Sequence, residues 1–564
     1  MAYEGAQGNI VVFDDSVGNA AFVSHQWVAP DHPDPDLRQM KVLQDVLRRF
    51  LTSQGSIPVD YATEIHLPTA KGIPFQEFQS CPLFIWYDYF SVPQHHADRP
   101  NLARAVSAEG SALQMRAINS IPAYVVKSRY FFALCPVIDC PLQGRVLNAM
   151  SWSRRGWCRV ERASRELSEH DTWILIQSST SLQVVHTNLS FPGACVGEGE
   201  FTVNRDRAKL APVMRMILSR KLRLSLQAGD FPSFRRHLNL QSVHFRDLDV
   251  EPILHPVPGC QPEGAPGADA VTQFLHQNGF TRVSCRDKGG WWPLHYAALS
   301  GRMELIEGLL LQRADPNRRT AKDEPWVSAL DLAVFYKHNQ VAQLLIAAKA
   351  RLAGGLFPAL HQAAMADNPE GIRLLCRAGS DALASNWAFL GTLEMASSYG
   401  AVYAMEELLQ QAQHDPLALS RALIGASSFR GGSAEIVERL LRMRADVDFQ
   451  WDNHRDFTKV GCLVANAASL QHRLGRRGAL SVQAYHWQGR TPLMAAVQSA
   501  QYEAAAALIA AGATLDITNS RGWMAADFAE GHLLPIFLKQ GLAGKREECK
   551  RVSSLALSNC YISV

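Results

Sequence analysis

One pattern recurs along the C-terminal half of this chain, and it constrains the fold more than any other feature. The leucines of WPLHYAA (Leu294), SALDLAV (Leu330), PALHQAA (Leu360), GTLEMAS (Leu393), RALIGAS (Leu423) and TPLMAAV (Leu493) are spaced 36, 30, 33, 30 and 70 residues apart, and Ala526 of GWMAADFA follows 33 later. Each of the six leucines is followed after 14 to 17 residues by an apolar pair, from Leu309-Leu310 to Leu508-Ile509. This spacing predicts a two-helix unit, with turns such as Ala314-Asp315-Pro316-Asn317 between units. A single helix pair cannot bury its apolar face, so the units stack into an all-α solenoid that leaves a concave face free. The wide gap predicts an insertion, residues 451–488, with a helix at Val460 to Leu470 and a basic loop carrying Arg473, Arg476 and Arg477. It reads equally as a degenerate repeat or as a recognition loop.

The N-terminal half has a different rhythm. Short apolar runs at Ala20–Val23, Leu83–Tyr87, Tyr130–Leu134 and Trp173–Ile176 alternate with helix-period stretches. The first of these holds Leu37, Met40, Leu43, Leu47 and Phe50; another runs through Leu113, Ala117, Ile118 and Ile121. Strands that are apolar on both sides predict a parallel sheet covered on both faces, and right-handed crossovers make it doubly wound. Ligands of such sheets bind beyond the carboxyl ends of the strands. That rule selects Ser24, His25 and Trp27 after strand one, and Asp88 and Tyr89 after strand two. No glycine-rich phosphate loop follows any strand, which argues against a Rossmann or P-loop site.

The stretch SWSRRGWCRVERASRELSE, Ser151 to Glu169, is expected to be one helix after strand three, with Trp157, Val160, Ser164 and Leu167 forming its buried stripe. Arg162 and Arg165 precede Glu166 and Glu169 by four residues, the spacing of exposed helix ion pairs. Glu161 sits at the edge of the stripe, where a carboxylate is either ion-paired or held for a reaction.

The segments FVSHQW, LFIWYDYFSVPQ, YFFALCP and GWCRVE, in that order, resemble the TIR superfamily and its fungal HET-type relatives over roughly residues 15 to 220. In members that cleave NAD, a helix beginning W-C-x-x-E carries the catalytic glutamate, so the resemblance implies that role for Glu161, with NAD as substrate and no separate cofactor. Ser24, His25, Trp27, Asp88, Tyr89 and Trp157 would then line the substrate site. The resemblance also implies self-association through this domain. The chain departs from the pattern in having His25-Gln26-Trp27 in the first loop and a long insertion, Pro58 to Cys81. The C-terminal repeats resemble ankyrin repeats through their period and the TPL and PLH fragments, which implies a protein partner on the concave face.

The expected organisation is a TIR-like α/β domain at 1–225, a helical junction and linker at 226–269 (Pro252 to Ala268 rich in proline and glycine), ankyrin repeats at 270–545 and a tail at 546–564. A net charge of +3 gives no reason to expect a nucleic-acid or membrane partner. The longest uncharged apolar run, Ala504 to Leu515, is too short to span a bilayer. Scattered cysteines without a C-x-x-C pair suit reduced thiols in a cytoplasmic or nuclear setting. His25, His32, His95 and His96 match no usual zinc spacing, so no metal is expected. The final Ile562-Ser563-Val564 is a weak carboxylate-capture motif. Two readings stay open: a signalling protein whose α/β domain cleaves NAD, and a non-enzymatic adaptor in which both domains only make contacts.

Overall fold

A computed structural model of the chain describes residues 12–14, 16–29, 32–67, 69–92, 116–117, 119–186, 191–193, 195–253, 269–321, 326–386 and 391–560. The helical segment through Leu113 and Ile118, the loop at Pro93-Gln94 with His95 and His96, most of the 252–268 linker and the terminal Ile562-Ser563-Val564 lie outside these residues. The chain forms two compact units. One comprises 1–143, 147–190 and 199–217, the other 144–146, 191–198 and 218–564.

The first unit is built on a five-stranded sheet of β1 (Asn19–His25), β2 (Leu83–Tyr87), β3 (Tyr130–Leu134), β4 (Trp173–Ile176) and β5 (Leu182–Val185), in the order β2-β1-β3-β4-β5. The first four strands are parallel, as their apolar runs predict, with Ala21 opposite Ile85 and Val23 opposite Phe132. The fifth strand corrects the all-parallel expectation: β5 is antiparallel to β4. Only the polar link Gln177–Ser181 separates them, far too short for a crossover, so the chain must turn back as a hairpin. Both faces are covered. On one, Val23, Phe132 and Ile176 pack with Phe50 of α1 (Arg38–Thr52); on the other, Phe22 stacks on Trp86 at 4.4 Å and Trp86 on Tyr124 of α2 (Ile121–Lys127) at 5.2 Å. Leu37, expected inside α1, instead caps it in a left-handed conformation and is 58% exposed. The insertion Pro58 to Cys81 closes the first face: Phe78 stacks on Phe50 at 4.4 Å, and Phe75 lies 5.3 Å from the same ring.

The single helix expected over Ser151–Glu169 is two, α3 (Ala149–Arg154) and α4 (Gly156–Glu166), with Arg155 extended between them. The cause is a short backbone bridge. Glu200 N–H donates to Arg154 O at 2.8 Å and Gly156 N–H to Glu200 O at 2.9 Å, while a Cβ at Gly156 would run into the Phe201 ring. Of the expected stripe Val160, Ser164 and Leu167 are buried and Trp157 is only partly covered, while Cys158, Arg162 and Arg165 are buried as well. The arginines are not a solvated face. Arg162 is buried while pairing with Glu166 at 3.1 Å, and Arg165 donates to the carbonyls of Thr172, Ser128 and Arg129 at 2.7, 2.7 and 2.8 Å rather than pairing with Glu169.

The second unit stacks helix pairs in the predicted phase: 293–300 with 303–311, 329–335 with 339–347, 359–365 with 369–377, 392–399 with 402–411, 416–428 with 434–442, and 492–498 with 502–510. After the second helix of most pairs the chain enters a left-handed residue, Arg313, Lys349, Gly379, Arg444 or Gly512. The next N–H then returns to the carbonyl five residues back, for example Ala314 to Leu309 at 2.9 Å and Ala445 to Leu440 at 3.0 Å, closing each helix in the same way. Ahead of the array, helix Phe231–Asn239 follows the Gly229 turn and joins the same unit, with Arg235 on Asp287 at 3.1 Å and Asn239 on Asn278 at 2.7 Å. The insertion at 451–488 is helical, with Lys459–Arg473 and Ala479–Tyr485 packed together. What was expected as a short tail contains a helix, Glu547–Cys560, with Cys549 and Val552 buried.

Among the described residues no helix is long and apolar enough to cross a membrane, and no disulfide joins the described cysteines.

Candidate functional site

β1 lies between β2 and β3, the place in a parallel sheet beyond whose carboxyl ends ligands commonly bind. Ser24 and His25 are the last residues of β1, not loop residues after it. Trp27 follows, Asp88 opens a single helical turn after β2, and α4 brings Glu161 to Ser24.

Ser24 Oγ donates to Glu161 Oε2 at 2.5 Å and accepts from the indole N–H of Trp152 at 2.9 Å. Trp152 is fully buried and lies 5.5 Å from the Trp173 ring, so the serine is fixed from below. No arginine or lysine pairs with Glu161 among the described residues, which removes the ion pair expected if the residue were structural. Glu161 is only partly covered from solvent, yet desolvation, followed by the nearby negative charge of Asp88, pushes its carboxyl up to about 8 against the lowering effect of Ser24.

Asp88 is held the opposite way. Burial alone would raise it, but His25, the Trp27 indole and the Tyr89 backbone N–H together keep it below the usual carboxylate value. Its Oδ1 meets His25 Nε2 at 2.8 Å and Tyr89 N at 2.6 Å, and its Oδ2 accepts from Trp27 Nε1 at 2.8 Å. An ionised carboxylate only accepts, so His25 donates from Nε2. The His25 ring stacks on Tyr87 at 4.2 Å, which fixes its plane. Tyr89 sets its edge against Trp27 at 6.2 Å and lies 4.7 Å from His32. Two carboxyls with oppositely displaced affinities for protons thus share one rim, the arrangement that assigns acid and base roles in enzymes.

The structure therefore gathers Ser24, His25, Trp27, Asp88, Tyr89 and Glu161, but not Trp157, whose indole N–H points to Asp206 at 3.4 Å. Trp152 is the tryptophan that reaches the site, and no sequence pattern marks it, because the break between α3 and α4 that turns it toward Ser24 depends on the distant Glu200. Tyr87 was read only as a strand residue. Cys158 donates to His25 O at 3.6 Å, and burial raises its thiol well above the ordinary value, so it is not a nucleophile. A cavity of about 170 Å³ lies at the other end of the sheet, lined by Arg129, Tyr130, Arg165, Thr172 and Trp173, away from this rim. Its arginines are already engaged, Arg129 with Glu77 and Arg165 with carbonyls. Among the described residues no three His, Cys, Asp or Glu side chains gather to hold a metal ion.

In the second unit, His295 of the WPLH segment accepts from Trp292 N–H at 3.1 Å and meets Arg318 O at 3.2 Å, tying the first helix to the next turn. The ankyrin repeat family model matches residues 289–321 and 488–520, the segments that contain WPLH and TPLM. Comparison with curated proteins finds no match. Among solved structures, the ankyrin repeat domain of human ASB11 is 22% identical, covering 45% of this chain and 98% of that one with a TM-score of 0.34. The ankyrin repeat domain of Bcl-3, a unique member of the IkappaB protein family, is 21% identical, covering 43% and 96% with a TM-score of 0.30. The second unit carries ankyrin repeats, modules that make protein–protein contacts.

Proposed function

We propose that this ankyrin-repeat chain couples partner recognition to cleavage of NAD at the nicotinamide glycosidic bond, with Glu161 as the catalytic residue. One observation carries the reading. Glu161 is a desolvated carboxyl with a serine donor and, among the described residues, no arginine or lysine beside it, at the carboxyl edge of the sheet. The cationic nicotinamide ring supplies the missing positive charge. Its approach favours the ionised form of Glu161, and the carboxylate then stabilises oxocarbenium character on the ribose as the neutral nicotinamide departs. Water takes its place on the ribose carbon and loses its proton to solvent. Ser24, fixed by Trp152, orients Glu161. Trp27 and Tyr89, held by Asp88, offer aromatic surface to the substrate. A protein partner on the concave face of the repeats, and self-association of the α/β unit as the TIR resemblance implies, would set when this occurs.

The test is release of nicotinamide from NAD by the full chain, with Glu161→Gln as control. Turnover that rises with pH toward about 8 and falls about 10²-fold in Glu161→Gln supports the reading. Release that is absent at high protein concentration, or indifferent to the substitution, leaves the adaptor reading. That second reading has its own support: Trp152, Ser24 and Glu161 satisfy one another without any ligand.

A further inference from the structure

The helix Lys459–Arg473 in the 451–488 insertion buries one face and leaves another uncovered. Gly461, Ala465 and Ala468 are buried on the inner face. On the outer face Val460, Leu463, Leu470 and the capping Leu474 are 45, 70, 53 and 72% exposed, and Ala467 is exposed with them. The intervals along Val460, Leu463, Ala467, Leu470 and Leu474 are three, four, three and four residues. That is the a/d repeat of a coiled-coil seam, the pattern that accepts the knobs of a facing helix rather than an extended strand.

The charge around the seam is one-sided. Between Asp456 and Glu503 there is no acidic residue, while Lys459, Arg473, Arg476 and Arg477 are all exposed. None of these four has an ion-pair partner among the described residues. Two copies of the seam facing each other would bring like charges together in either orientation, which disfavours self-pairing. A facing helix with acidic flanks would satisfy both the apolar seam and the cations.

We propose that this seam is a docking site for an acidic amphipathic helix of a partner protein. It belongs to the insertion and draws on nothing in the function proposed above, so neither stands or falls with the other. The seam is about 20 Å long at the helical rise, enough for two heptads, so the interaction suits a reversible contact.

The experiment uses the full chain and two synthetic three-heptad peptides with leucine at a and d. One carries glutamate at e and g, the other lysine, so apolar content is equal and only charge differs. Fluorescence anisotropy is expected to show saturable binding of the glutamate peptide, at least tenfold tighter than the lysine peptide. Leu463→Ser with Leu470→Ser should abolish it; both side chains are exposed, so folding is preserved, and an unchanged circular dichroism melt verifies this. Arg473→Glu with Arg476→Glu and Arg477→Glu should reverse the preference. Absence of binding, equal binding of both peptides, or binding indifferent to the leucine changes overturns the proposal. Concentration-dependent dimerisation abolished by Leu463→Ser with Leu470→Ser would also overturn it, assigning the seam to a second copy. Binding of a single-stranded RNA that competes with the glutamate peptide yet ignores the leucine changes would instead reduce the site to its charge.

Discussion

The ion-paired carboxylates of the repeat unit and Glu161 of the α/β unit have different company. In the repeat unit Asp287 faces Arg235 at 3.1 Å, Asp331 faces Arg319 at 2.8 Å, and Asp456 faces both Arg421 and Arg455 at 3.0 and 2.7 Å. Glu394 has a different, local reason to be buried: its carboxyl caps the N–H of Gly391. In the α/β unit Glu161 has a serine and a second carboxylate nearby and, among the described residues, no arginine or lysine. A carboxylate kept for packing is neutralised by its own chain, whereas one kept for a ligand leaves the opposite charge to be supplied from outside.

This contrast is sharpest under substitution. Arg319→Met leaves Asp331 buried without its partner and is expected to cost about 3 kcal/mol in chemical denaturation. Glu161→Gln removes no ion pair, so near pH 4.5, where the carboxyl is protonated, it should leave stability close to wild type, while NAD cleavage at higher pH falls about 10²-fold. If the glutamine variant loses as much stability as Arg319→Met, Glu161 belongs with the structural carboxylates and the distinction collapses.

The buried histidines of the repeat unit and Glu161 should also answer pH in opposite senses. Burial lowers His244, His295 and His338 to about 4. Below the ordinary value of 6.5 the unfolded chain binds protons that these folded sites refuse, so the stability these histidines contribute falls as pH drops toward about 4 and levels off below it. Glu161 does the reverse. The folded site keeps a proton up to about 8 that the unfolded chain releases near 4.5, so wild type loses ground to Glu161→Gln as pH rises between those values. Thermal melts of the two proteins from pH 4 to 9 read this directly, and a constant gap would mean Glu161 is not desolvated.

Ser24→Ala removes the donor to Glu161 and should cost roughly 1 kcal/mol. It should also move the pH dependence of kcat/KM to higher pH, since the serine lowers the carboxyl. A lower rate with an unmoved profile would assign Ser24 to packing alone. The smallest effects lie at the helix ends of the repeats. Glycine in place of Arg313, Lys349 or Arg444 relieves left-handed strain and should add about 0.5–1 kcal/mol each. The same change at Leu463, which is helical and exposed, should subtract a similar amount.

The repeats were legible because their contacts are local. Leu294, Leu330, Leu360 and the rest recur at the period of one unit, and each unit packs on its chain neighbours. The four parallel strands were legible for a related reason, since apolar runs such as Tyr130–Leu134 have nowhere to go but a sheet covered on both faces. The rim residues followed from the carboxyl-end rule, which needs strand ends and not side-chain directions. It selects Ser24, His25, Trp27, Asp88 and Tyr89, which do lie together at that edge, whereas Trp157 comes from the W-C-x-x-E motif, which carries no information on the turn of the helix. The β5 hairpin was missed because a four-residue strand after a run of serines has no periodicity to mark it.

By itself, then, the sequence determined the order of strands and helices and the phase of the array, because both depend on patterns within a few tens of residues. Tertiary structure alone decided that Glu200 breaks the segment at Arg155, that Trp152 reaches Ser24 from 128 residues away, and that Ser24 meets Glu161 across 137. Such pairings are chosen by the shape of the whole core. No local pattern encodes a hydrogen bond between residues whose separation in the chain is set only by how the sheet is wound.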